Sequence, residues 1–133
     1  HGVTTCFVGS CSISMVCADA EDASDIFTRV ESIPREYVLP VLQTVKTWHD
    51  PQGYARHLES LPLGPNIASF LGHSDLRTAV MGLDRAVDPH ARPTTAEMNR
   101  MEGLLNQAID EGLLGLSAMT NPWDKVDGNR HRS

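Results

Sequence analysis

Residues 94–118 read TTAEMNRMEGLLNQAIDEGLLGLSA, and this stretch decides the fold. Thr94 and Glu97 stand three residues apart, the spacing of a capping box, in which each side chain satisfies a free amide of the other. Met98, Met101, Leu105, Ala108 and Ile109 then recur as one apolar stripe, and Gly112 is the expected C-terminal stop. An apolar run, LLGLSA over 113–118, begins at once. Upstream, NIASFL over 66–71 reads as a strand ending at Gly72-His73. SDLRTAVMG follows as a short helix, capped by Ser74 and stopped by Gly82. Strand, helix and strand with short connections mean a right-handed parallel crossover. The expected class is α/β.

The N-terminal half extends the pattern. Thr4 to Val8 reads as another short apolar strand, halted at Gly9-Ser10-Cys11-Ser12. ADAEDASDIFTRVESIP has acidic residues at its start and Ile26, Phe27 and Val30 on one face, which predicts a helix ending before Pro34. Residues 35–45 are apolar with Pro40 in the middle; their pattern is ambiguous, with a loop wrapping the body as one reading. Asp50-Pro51 is a helix start, with Tyr54, Leu58 and Leu61 at helical spacing before LPLGP ends the segment. The three strand candidates are apolar rather than alternating, the pattern of parallel strands covered on both faces.

Composition bounds the function. The chain has 133 residues, 41% of them hydrophobic, enough for one domain and too few for two. A net charge of −6 with scattered Lys and Arg argues against nucleic-acid or anionic-membrane partners. No apolar run approaches the roughly 20 residues of a membrane span. Three cysteines make no disulfide framework, so the expected setting is reducing and cytoplasmic. His1 immediately before a strand, and a polar end VDGNRHRS with no closing element, predict a piece of a larger protein.

In parallel α/β folds, functional groups gather beyond the carboxyl ends of the strands. Three polar residues fall there: Cys11, His73 and Ser117. Cys11 reads either as a small buried residue or as a thiol aimed at a shared rim, where Cys and His could both ligate zinc. His73 is either a pocket residue or a histidine bonded to nearby backbone. Ser117 lies in GLSAM, without the G-x-S-x-G of a nucleophile elbow, and reads as a hydrogen-bonding residue. Cys6 and Cys17 are assigned to structure. His1, His49, His57, His90 and His131 are assigned to solvated surfaces.

These residues also carry a family resemblance. HGVTTCFVGSCSI resembles the HGVTT-x-x-x-GNCG of D-aminoacylases, the N-acyl-D-amino-acid deacylases of the amidohydrolase superfamily. RVESIPRE, KTWHDPQGYARHLESL, LGHSDLRTAVMG and PTTAEMNRMEGLLNQAIDEGLLGLS resemble further blocks of that family in the same order. The resemblance implies a metal-dependent (β/α)8 TIM barrel. Residues 1–133 would supply about its second to fourth strands, as a fragment of one catalytic barrel. It implies a zinc cofactor, Cys11 as a metal ligand, and a small-molecule N-acyl-D-amino acid substrate whose linear amide is hydrolysed. His73 and Ser117 become candidates for supporting or pocket roles.

The family's H-x-H pair, its later histidine ligands and its catalytic aspartate have no counterpart here. The catalytic residues are therefore expected outside the segment, and the isolated chain is predicted to be inactive. GSCS stands where the family has GNCG, and the family's substrate-framing aromatic is either missing or replaced by Trp123. Two alternatives remain at this point. One is a non-catalytic α/β binding module. The other is an amidohydrolase acting on cyclic amides, disfavoured because the nearest lysine to Ser117, Lys125, lies past the strand.

Overall fold

A computed structural model describes residues 2–119. The positions of His1, Trp123, Lys125 and His131 lie outside the described residues. Strands β1 (Thr5–Val8) and β2 (Asn66–Ser69) pair in parallel, Thr5 opposite Asn66 through Val8 opposite Ser69. Strands β3 (Leu71–Gly72) and β4 (Leu116–Ser117) pair in parallel as well, Leu71 opposite Leu116 and Gly72 opposite Ser117. β2 and β3 are two parts of one strand divided at Phe70. Even-numbered amides point to one edge, with Asn66 N donating to Thr4 O and Phe70 N to Val8 O. On the other edge Leu71 N donates to Gly115 O, and Ser69 O accepts from Leu114 N. Three parallel strands thus lie side by side in chain order, as the sequence predicts.

The connections are helical: α1 (Ala20–Glu31), α2 (Arg35–Val45) and α3 (Pro51–Ser60) between β1 and β2, then α4 (His73–Met81), α5 (Leu83–Ala86) and α6 (Thr95–Asp110) between β3 and β4. Local chemistry explains most of these boundaries. Asp19 accepts from Asp22 N at 2.9 Å to cap α1, and Asp50 accepts from Gly53 N at 2.7 Å to cap α3 behind Pro51. The capping box of α6 is present in full.

Three expectations change, and one ambiguity resolves. Residues 35–45, ambiguous in sequence, form a helix. Pro40 gives up only its own amide, while Val38 and Leu42 gain burial against Ala18 and Ala23. α4 begins one residue before Ser74, with Gly72 as its N-cap and no side-chain cap; Ser74 N instead donates to Ser12 O at 2.8 Å. The seam of α6 is narrower than its sequence stripe, because it buries Met101 and Ala108 but leaves Met98 and Ile109 each 51% exposed. β1 is mostly exposed, with Phe7 66% accessible, so helices cover the sheet on one face only among the described residues.

The main core lies where β3 meets α4 and α6. Leu71, Leu76, Met81, Met101, Ala108 and Leu113 pack there with Val16 and Cys17 from the β1–α1 loop. A second cluster joins Ile13 of that loop to Ile26, Leu83 and Val87. The loop is therefore part of the interior, and its backbone polar groups need partners inside the protein.

Candidate functional site

The tips of the strands are locked together by backbone geometry. β1 ends at Gly9, whose φ of 71° is open to glycine, and a Cβ there would lie 2.9 Å from Phe70 O. The next residues cross over the tip of the central strand so closely that a Cβ on Gly72 would stand 2.4 Å from Ser12 O. Ser117, at the end of β4, donates its hydroxyl proton to Gly9 O at 2.5 Å. One hydrogen bond thereby joins the first and third strand tips across the second.

The segment beyond Cys11 is held from below. Ser14 Oγ accepts from Gly72 N at 3.0 Å and donates to Asp75 Oδ2 at 2.6 Å. Asp75 is fully buried at the start of α4. Its Oδ2 also accepts from Val16 N at 2.8 Å and Cys17 N at 3.0 Å, and its Oδ1 accepts from Ala18 N at 2.7 Å. Three successive amides thus close around one carboxylate. Burial pushes the Asp75 carboxyl up from the ordinary range, while the Ser14 hydroxyl and the three amides oppose that shift. The same burial, with the charge of Asp75 next, pushes the Cys17 thiol up to about 12.

Lys46 is buried nearby. It donates to Trp48 O at 2.6 Å, and its Nζ stands 5.0 Å from the Trp48 ring centroid. Burial lowers its pKa, and the charge of Asp75 partly restores it.

Trp48 links this loop to α3. Its indole N–H donates to Met15 O at 2.9 Å, and its ring stacks on His57 with centroids 4.4 Å apart. Between α3 and the sheet lies a cleft of about 540 Å³, lined by Trp48, Tyr54, Leu58, Ile67 and Ser69, with Cys11 also on its wall. Tyr54 Oη and Ser69 Oγ meet across it at 3.1 Å.

The sequence candidates occupy distinct settings. Cys11 is half-buried beside Ile13, Ile26, Leu83 and Val87, and its sulfur accepts from Ile13 N at 3.4 Å. His73 is exposed at the first position of α4; partial desolvation and then the charge of Arg77 hold its imidazole below the ordinary value. Ser117 is buried and committed to Gly9. The structure joins Ser117 to the tip of β1, while the hydrogen bonds of Cys11 stay with Ile13. All three cysteines are free. Among the described residues, no three His, Cys, Asp or Glu side chains are grouped so as to hold a metal ion. His57, expected on a solvated surface, is instead half-buried against Trp48.

Asp75, Ser14 and Lys46 escaped the sequence reading. An acid in the first turn of a helix normally faces water and the helix dipole. SDLRTAVM carries no sign that this one turns inward.

No family model matches the chain. An uncharacterized protein of Mycobacterium tuberculosis is 55% identical over 133 residues, all of this chain and 22% of that protein. An N-acyl-D-aspartate deacylase of Alcaligenes xylosoxydans xylosoxydans is 30% identical over 123 residues, 90% of this chain and 21% of the enzyme. Among solved structures, the crystal structure of an N-acyl-D-glutamate deacylase from Bordetella bronchiseptica, complexed with zinc and a phosphonate mimic of the tetrahedral intermediate, superimposes with a TM-score of 0.63. It is 28% identical, and the match covers 88% of this chain and 21% of that one. The chain therefore spans about a fifth of the length of its relatives, and it is distantly similar to N-acyl-D-amino-acid deacylases in both sequence and structure.

Proposed function

We propose that this chain is a segment of a zinc-dependent amidohydrolase barrel that hydrolyses the linear amide of N-acyl-D-amino acids, contributing about the second to fourth of eight strands. The observation that carries this reading is the likeness, over 88% of the chain, to a deacylase that binds zinc. Three parallel strands in chain order agree with it, since a barrel is built by repeating that step. The exposed face bearing Phe7 then becomes the side on which the barrel interior is completed.

Cys11 fits zinc in kind but not in number. A free, half-buried thiol just past a strand tip is a suitable soft donor, and among the described residues it is not joined by enough further donors to make a three-ligand group. The remaining ligands and the catalytic acid–base would come from elsewhere in the intact protein. When bound, zinc would supply a water acidified toward neutral pH and polarise the amide carbonyl. The chain's own part is geometric: Ser117 fixes the tip of β1 through Gly9, and the residues after Cys11 are tied to the tip of the central strand. His73, exposed beside the rim, is available to the substrate side. The free cysteines suit the reducing cytoplasm proposed as its setting.

The test is metal content in the intact protein. Cys11→Ala should lower zinc occupancy and N-acyl-D-amino acid hydrolysis by at least about tenfold, while Cys6→Ala keeps both. Full zinc and activity in Cys11→Ala would defeat the assignment.

A further inference from the structure

The segment between β1 and α1 is long, irregular and interior, and it carries the one thiol proposed to meet the metal. Its position is set on both sides of that thiol. Before it, Gly9 is held by Ser117. After it, Ser12 O accepts from Ser74 N at 2.8 Å, and Ser14 bridges Gly72 N and Asp75. Ser10 and Cys11 are the two residues between these anchors. These later anchors converge on residues 72–75, where the central strand becomes α4, while Met15 O is held separately by the Trp48 indole.

Asp75 is the centre of this arrangement. It is fully buried and takes four donors. A carboxylate accepting successive amides forms stronger and more directional bonds than a neutral group would. With those amides unpaired, the segment could not stay buried in this form. We propose that Asp75 is a positioning residue: its carboxylate, acting through Ser14 and the 16–18 amides, fixes where Cys11 presents its sulfur to the metal. This rests on the reading of Cys11 as a ligand.

The two ideas separate experimentally. In the intact protein reconstituted with cobalt(II), the thiolate-to-cobalt absorption reports the Cys11–metal bond without reference to turnover. Ser14→Ala removes the bridge but leaves three amides on Asp75. Asp75→Asn replaces one acceptor oxygen with a donor facing other donors. Ser14→Ala should weaken cobalt affinity about tenfold and diminish that band, and folded Asp75→Asn should do so further. Thr94→Ala, at the distant start of α6, should lower the melting temperature and leave the band unchanged.

Wild-type band and affinity in Ser14→Ala would overturn the positioning role, provided that Cys11→Ala abolishes the band. Should Asp75→Asn fail to fold, Ser14→Ala decides alone. A Cys11→Ala protein that keeps the band would instead remove the ligand reading, and the positioning role with it.

Discussion

Among the carboxylates that satisfy backbone amides, Glu97 and Asp75 do so in opposite ways. Glu97 works at the start of α6. It accepts from Thr94 N at 2.8 Å, and Thr94 Oγ1 accepts from Glu97 N at 3.2 Å. Both residues belong to one turn, on the outside of the molecule. An ion pair with Arg85, and then the Thr94 amide, hold the Glu97 carboxyl well down, at about 2. Asp75 reaches instead to Ser14, Val16, Cys17 and Ala18, between 57 and 61 residues away, and burial moves its carboxyl the other way. The Glu97 box steadies one helix end, which water could otherwise solvate. Asp75 satisfies amides that no water replaces, so much more of the structure depends on it.

The sharpest test of that contrast is removal of each clamp. Asp75→Ala leaves three buried amides without an acceptor and should cost roughly 3–5 kcal/mol in urea unfolding, enough to threaten the fold. A cost below about 1 kcal/mol would mean that the loop finds other partners. Cys17 gives a graded probe of the same region. Its thiol is raised from 9.0 to about 12, so the unfolded chain loses that proton first as pH climbs. Stability should therefore fall from about pH 9 upward, by roughly 3 kcal/mol at about pH 11, before the decline ends near the folded value. Cys17→Ala should flatten that alkaline limb relative to the parent.

The local clamp should respond least. Thr94→Ala should cost about 1 kcal/mol, with the first turn of α6 fraying soonest in hydrogen exchange. Its pH dependence has the opposite sign. Because the Glu97 carboxyl is depressed, its contribution is complete above the ordinary value of 4.5 and fades as pH falls toward about 2. Exposure and salt should shrink that effect further.

The contrast also explains how much of the molecule was legible. Asp50-Pro51, the Thr94–Glu97 box, and Gly82 and Gly112 as helix stops all act within a turn, and the chain follows them. The parallel strand order followed from elements joined by helices. Position past a strand tip brought Cys11, His73 and Ser117 forward as candidates, and of these the structure gives Ser117 a definite partner in Gly9. Asp75 looked like any first-turn acid. The helix over 35–45 was obscured by Pro40, since the burial that offsets a lost amide bond lies on α1.

By itself, then, the sequence determined helices α1, α3, α4 and α6, the caps of α3 and α6, the three short strands and the α/β class, because those depend on neighbours within a few residues. Tertiary structure alone decided which first-turn acid is buried, which face of α6 is covered and how the loop around Cys11 is held. Those outcomes require groups some 60 residues apart to meet in a space without water, and no local pattern records that meeting.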